Sequence, residues 1–337
     1  MILATLDPIA AMAEADRDQL EALTASIQTE NAAITAMLHD LKRSTDPEYW
    51  KNRIKSQDEY KVEMIKDADQ AMSVPEEHME EVFAGADTIA VKYSGGRDST
   101  MALLWAKHNF PDFRIIAVFS NPGYEFPGMS LHVQKVCDYL GVECVICHPT
   151  KDMLVDYYNN GFPSTQFLSC REKYIYTPVN EYIRTLVPEK TVVMDGSRGD
   201  QKLAISRKTK TSAPNDSKLK GFRFYHPCHD IDYETELRLL DESGVPLWEG
   251  YDKGFVRTSC WCCPGMNSRQ AYALSQNFPW AVEIIREIEK ARDQKLNWAA
   301  DRSIDHLVEA GRKMALKAAS STPSESPGAP AMEAPEA

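Results

Sequence analysis

Two short stretches of this chain concentrate the residues able to do chemistry. The first is Ser94-Gly95-Gly96-Arg97-Asp98-Ser99, between the apolar run Thr88 to Tyr93 and a helix-forming stretch, Thr100 to Lys107. Two adjacent glycines let the backbone pass close to an anion, and the helix N-terminus that follows aims unpaired N–H groups at it. The serine hydroxyls add donors, so a nucleotide phosphate is the natural occupant. The plain alternative is an ordinary strand-to-helix turn with a serine cap. Neither Gly-x-x-x-x-Gly-Lys-Ser/Thr nor Gly-x-Gly-x-x-Gly occurs in the chain, which removes support for a P-loop NTPase or a Rossmann dehydrogenase.

The second stretch is Arg257-Thr258-Ser259-Cys260-Trp261-Cys262-Cys263-Pro264. Three thiols so close together suit a soft metal, and the two-residue gap between Cys260 and Cys263 lets both reach one centre. Cys170 and Cys228 are further candidates, whereas Cys137, Cys144 and Cys147 fall in core-like surroundings. Zinc would use Cys260 and Cys263 with His226, His229 or Cys228. An iron-sulfur cluster would use Cys170, Cys260 and Cys263 with either Cys262 or Cys228. Spacing leaves both open.

The elements that must position these groups alternate. Strand-like runs at 88–93, 114–120, 142–147, 191–195 and 222–226 are separated by helix-like runs at 99–109, 129–140, 151–160 and 171–186. This pattern predicts an α/β fold, a parallel twisted sheet with helices on both faces and ligands at the C-terminal strand ends. Residues 1–85 are expected to form a helical N-terminal extension and 86–250 the nucleotide-binding domain. Residues 251–318 carry the Cys-rich motif and C-terminal helices, and 319–337 read as a disordered tail. Within 8–43, Leu20, Leu23, Ile27, Ile34, Met37 and Leu41 follow steps of three and four. They suit a short coiled-coil seam, either with a second copy of the chain or with a helix at 57–83.

Composition narrows the function class. The 337 residues are 43% hydrophobic and 26% charged, with a net charge of −12, which argues against wholesale nucleic-acid coating. A local exception is the segment from Arg207 to Arg223, where Arg207, Lys208, Lys210, Lys218, Lys220 and Arg223 face a single acid, Asp216. It reads either as a basic loop over a phosphate-bearing substrate or as a solvated charge run. The start of the chain, with Asp7 and no basic region, is unlike a signal peptide, and no apolar run reaches the roughly 20 residues that span a bilayer. A cytoplasmic protein without membrane contact is expected, and its 8 cysteines then favour metal or redox chemistry over disulfides.

The glycine loop and four blocks after it, in order, resemble the phosphoadenosine phosphosulfate (PAPS) reductase family over roughly residues 86–270. Ser94 to Ser99 is similar to the PP-loop of the ATP pyrophosphatase superfamily, although most relatives carry Lys where Arg97 stands. Asn121-Pro122-Gly123-Tyr124-Glu125-Phe126-Pro127 is similar to the family's Asp-Thr-Gly-x-Glu-Phe-Pro segment. Cys170-Arg171-Glu172-Lys173 with Pro178 resembles its Cys-Cys-x-x-Arg-Lys-x-x-Pro block. Asp195-Gly196-Ser197-Arg198-Gly199-Asp200, with Arg207 downstream, resembles a phosphate-contacting Gly-x-Arg segment. Gly250-Tyr251 through Cys263 then looks like the family's Gly-Tyr…Cys-x-x-Cys end.

The resemblance implies an adenine nucleotide alpha hydrolase-like fold. It also implies ATP with Mg²⁺ bound by Ser94, Gly95, Gly96, Arg97, Asp98, Ser99, Gly123, Glu125, Gly196, Arg198 and Arg207. Asp98, Arg97 and Arg198 would be catalytic, and a 4Fe-4S cluster would sit on the thiols. Departures bear on the activity. Ser169 replaces the first cysteine of the family's pair, and no cysteine follows Cys263, where PAPS and adenylylsulfate reductases carry a reactive thiol. The residues therefore resemble more closely the ATP-pyrophosphatase subunit of DNA phosphorothioation systems and the tRNA thiolases. There ATP adenylates an acceptor and sulfur displaces AMP. The expected partners are a nucleotide, a DNA or tRNA acceptor and a sulfur donor such as a cysteine desulfurase. The alternatives are a reductase using an external thiol, and a nucleotide-binding regulatory module with a zinc knuckle.

Overall fold

The computed structural model describes residues 64–165, 169–199, 210–211 and 218–321. Five strands form one sheet: β1 (Thr88–Tyr93), β2 (Arg114–Ser120), β3 (Glu143–Cys147), β4 (Thr191–Asp195) and β5 (Arg223–Tyr225). Their order is β3-β2-β1-β4-β5 and every pairing is parallel, with Thr88 opposite both Arg114 and Thr191. The strands expected from sequence are thus present, to within a residue at their ends.

Period-two alternation explains why the sheet is covered on both faces. Ile89, Val91 and Tyr93 point into the larger core, with α1 (Arg97–Asn109) and α2 (Met129–Leu140). Ala90, Ile116, Val118 and Val193 point into a second core with Val179 and Ile183 of α4 (Thr177–Ile183). Between α2 and α4 run α3 (Met153–Asn160) and a π-helical turn, Arg171–Tyr176, which leads into α4 (Thr177–Ile183). The helix expected over 171–186 runs unbroken from 169 to 183, but its first part is π-helical. Pro178 has no N–H to return to the carbonyl four residues back, that of Tyr174, and this carbonyl instead accepts from Ser120 Oγ at 2.8 Å. That bond fastens the turn carrying Cys170 to the end of β2.

α5 (Tyr233–Ser243), which the sequence reading did not mark, is capped by Asp232, whose carboxylate accepts from the N–H groups of Glu234 and Thr235. α6 (Ser268–Asn277), α7 (Pro279–Arg292) and α8 (Ile304–Ser321) follow the Cys-rich segment, so helix extends slightly past the expected limit at 318.

One compact unit begins at Met64. Residues assigned from sequence to the N-terminal extension therefore pack with the sheet: Ile65 bridges Ile231, and Ala71, Val82 and Phe83 are core residues. The helix expected at 57–83 is broken within its described part, into Ala68–Met72 and Glu76–Phe83, because Pro75 interrupts the ladder. The coiled-coil pattern at 8–43, Arg207, and the tail beyond Ser321 lie outside the described residues. Among the described residues no helix is long and apolar enough to cross a membrane.

Candidate active site

The chain leaves β1 toward β2 and β3 on one side, then returns to β4 on the other. The crevice between the C-terminal ends of β1 and β4 is therefore a topological switch point, where open α/β sheets bind ligands. Ser94 to Ser99 occupies it, with Gly96 as N-cap of α1. Ser99 Oγ donates to the Gly96 carbonyl at 3.1 Å and accepts from the Ser94 N–H at 3.2 Å. The two serine hydroxyls lie 3.0 Å apart.

The glycines answer to the protein's own packing as much as to a ligand. Gly95 has φ +73°, and a Cβ there would meet Met129 Sδ at 2.7 Å. A Cβ on Gly96 would meet Thr258 Oγ1 at 2.9 Å. Thr258 belongs to the segment that delivers the thiols, so the phosphate loop and the Cys-rich stretch are in direct contact.

Opposite the loop, Gly196 follows β4 and packs on the first turn of α1. Arg198 is almost fully buried, its Nη1 lying 3.0 Å from Glu236 Oε2 and 3.6 Å from Asp98 Oδ1. Burial first, and then the charge of Asp98, push the Glu236 carboxyl up to about 8, with Arg198 pulling the other way. His226, also buried, pairs with Asp195 at 2.9 Å. Arg97 is held differently: its guanidinium lies 3.7 Å from the centroid of the Tyr251 ring, and Nη1 donates to the Tyr233 hydroxyl at 3.2 Å.

The thiols form a separate group beside the loop. An antiparallel bridge joins Glu125 to Cys260, and Cys260 Sγ donates to Glu125 Oε1 at 3.3 Å. Burial pushes the Glu125 carboxyl up to about 7. Glu125, expected with the nucleotide, thus stands against the thiols. Gly123 sits in an exposed turn with φ +86°, its N–H bonded to Asn121 Oδ1 at 2.8 Å.

Cys260, Cys262, Cys263 and Cys170 sense one another electrostatically, and the Tyr157 hydroxyl bonds the Cys170 thiol. Arg257 Nη2 donates to Cys263 Sγ at 3.8 Å and to the Gly265 carbonyl at 2.7 Å. The fully buried Gln270 clamps this segment, accepting from the Val256 N–H and donating to the Arg257 carbonyl.

Cys228 is not part of this group. Its thiol donates to the Asp98 carbonyl at 3.4 Å, and its charged neighbours are Glu236, Asp98, Asp195 and Lys210. Cys228 and His226 are therefore engaged beneath the phosphate loop, apart from the other candidate thiols. Among the described residues, no three Cys, His, Asp or Glu side chains converge on one ion position. Cys170, Cys260, Cys262 and Cys263 still neighbour one another, and their all-thiolate donor set suits an iron-sulfur cluster or zinc alike.

The described cations of the basic segment are mostly structural. Lys210 is buried and pairs with Asp230 at 2.8 Å, Lys218 pairs with Glu172 at 2.5 Å, and Arg223 donates to the carbonyls of Ala84 and Glu189. Tyr233, Glu236 and Gln270 escaped the sequence reading because single polar residues carry no spacing signal. Tyr251 was visible only as part of a Gly-Tyr motif.

A family model for the phosphoadenosine phosphosulfate reductase domain matches residues 88–266, just over half of the chain. Two uncharacterized proteins of Methanocaldococcus jannaschii are each 24% identical, over 57% and 62% of this chain and 45% and 44% of their own lengths. The chain thus spans less than half of the curated relatives it matches. Among solved structures, a PAPS reductase from Candida auris in complex with phosphate aligns with TM-score 0.40 at 15% identity, covering 56% of this chain and 97% of that one. The U34-tRNA thiolase NcsA from Methanococcus maripaludis, with its [4Fe-4S] cluster, aligns with TM-score 0.38 at 16% identity, covering 72% and 79%.

Proposed function

The chain belongs to the phosphoadenosine phosphosulfate reductase family, and from that premise we propose that it is a cytoplasmic ATP pyrophosphatase. In this reading it adenylates an oxygen of a nucleic-acid or nucleotide acceptor so that sulfur can replace that oxygen. One observation carries the reading: the thiol-bearing segment is seated on the phosphate loop, with Thr258 against Gly96 and the Tyr251 hydroxyl accepting the Arg97 N–H at 3.3 Å. An anion cradle and a group of thiols thereby share one site.

Ser94, Gly95, Gly96 and Ser99 would hold the outer phosphates of ATP, taken as its Mg²⁺ complex, at the positive end of α1. An acceptor oxygen attacks the α-phosphorus and pyrophosphate leaves. A sulfur nucleophile at the oxidation level of sulfide then attacks the atom bearing the adenylated oxygen, and AMP departs with that oxygen. Arg97 spreads the negative charge that develops on the phosphates, while Arg198, fixed by Glu236 and Asp98, shapes the wall of the crevice. Cys170, Cys260, Cys262 and Cys263 would hold a 4Fe-4S cluster, which supplies a place to carry anionic sulfur next to the nucleotide. Arg257 keeps a cationic N–H on the Cys263 sulfur. A sulfur donor such as a cysteine desulfurase is the partner this chemistry calls for.

Protein purified without oxygen should contain iron and acid-labile sulfide, and should split ATP to AMP and pyrophosphate only when acceptor is present. Stoichiometric zinc without iron would overturn the cluster. Release of sulfite from PAPS with an added thiol, and no pyrophosphate, would make the chain a reductase instead.

A further inference from the structure

The two arginines of the crevice are held in opposite ways. Arg198 lies between two carboxyl groups, Glu236 at 3.0 Å and Asp98 at 3.6 Å. Arg97 makes no ion pair among the described residues; two tyrosines hold it instead. Tyr251 grips it at both ends, its ring beneath the guanidinium at 3.7 Å and its hydroxyl accepting the backbone N–H at 3.3 Å. Tyr233 is shared: its hydroxyl accepts from Arg97 Nη1 at 3.2 Å, and its ring lies under the Arg198 guanidinium at 4.6 Å.

Both tyrosines are themselves fixed. Tyr251 packs edge-on against Trp248, which stacks on Phe126 in the core. Burial pushes the Tyr251 phenol up to about 12, so it stays neutral. Tyr233 opens α5, directly after its Asp232 cap. Arg97 Nε is buried and has no hydrogen-bond partner. A guanidinium supported by ring faces, with a donor unspent, keeps its full charge available to an anion.

We propose that Tyr251 and Tyr233 are positioning residues that hold Arg97 as the uncompensated cation of the site, aimed at the polyphosphate of the nucleotide. Arg198, engaged by Glu236 and Asp98, serves as scaffold. The arrangement requires a planar cation, so lysine cannot substitute at position 97 while these tyrosines stand. This inference rests on the proposed nucleotide site and assigns the two residues that orient its cation.

The test is a double-mutant cycle on the full chain, reading the dissociation constant of Mg²⁺·ATP by calorimetry. Tyr251→Leu should weaken binding about tenfold with Arg97 present, from the lost cation–π contact. In an Arg97→Lys background the same change should cost less than about twofold, because the stacked cation is already gone. Tyr251→Phe should recover most of the loss by restoring the ring. Equal losses in both backgrounds would mean that Tyr251 only supports the fold, and would overturn the proposal. Should Tyr251→Leu fail to fold, the same cycle runs with Tyr233→Phe, which removes the hydroxyl that accepts from Arg97 Nη1, and equal losses in both backgrounds again overturn it. Absence of ATP binding by the unmodified chain would instead sink the nucleotide site itself.

Discussion

Gly196 and Asp98 touch backbone to backbone: a Cβ added to Gly196 would overlap the carbonyl carbon and oxygen of Asp98. That carbonyl belongs to the first turn of α1 and also accepts the Cys228 thiol. The end of β4 is thus pressed onto the phosphate loop's own helix, and the crevice is narrow because this position has no side chain.

Replacing Gly196 with Ala must move either β4's exit or the helix start. Overpacking of this kind costs about 1–3 kcal/mol, so a lower thermal midpoint is expected. ATP affinity should drop with it, since the N–H groups of the loop shift with the helix. Wild-type affinity and midpoint in Gly196→Ala would show that the contact is slack.

Iron content should separate the two cysteines that the sequence could not rank. Cys262→Ala should lose iron and labile sulfide in anaerobically purified protein, because Cys262 is buried among Cys170, Cys260 and Cys263. Cys228→Ala should keep both, its thiol being occupied at the Asp98 carbonyl. The opposite pattern would reassign the fourth ligand.

Acidification should loosen the loop through His132. Its Nε2 bonds the Gly95 carbonyl at 3.1 Å, and burial, assisted by Lys135, holds its pKa below the usual value against the opposing pull of that bond and of Glu249. As pH falls through about 6.5 the unfolded chain takes up a proton before the folded one does. Stability is therefore full above that value and is lost on the way down to the folded pKa. Denaturation midpoints at about pH 7.5 and about pH 5.5 should differ less in His132→Gln than in the unmodified chain.

Lys210→Met should act on stability rather than on nucleic-acid binding. It leaves Asp230 without its cation in a mostly buried place, at a cost of about 1–3 kcal/mol. The salt dependence of acceptor binding should stay unchanged, whereas a flatter salt slope would restore Lys210 as a phosphate contact.

The sequence by itself determined the sheet and the anion cradle. Near-continuous apolar runs at Thr88–Tyr93 and Arg114–Ser120, glycines at a strand end and a helix-forming run after them are all local signals. Each follows from the side-chain period of a strand or from the φ that only glycine takes freely. The sequence likewise placed three thiols together, because Cys260, Cys262 and Cys263 are neighbours in the chain.

Only the tertiary structure decided how those groups are used. Whether Arg97 or Arg198 keeps a free charge depends on Tyr251, Tyr233 and Glu236, which stand far along the chain and share no pattern with them. Whether Cys228 or Cys262 joins Cys170 depends on which wall of the crevice each faces. Charge compensation and thiol grouping are set by distances across the fold, and no residue's identity or spacing records the partner it will meet there.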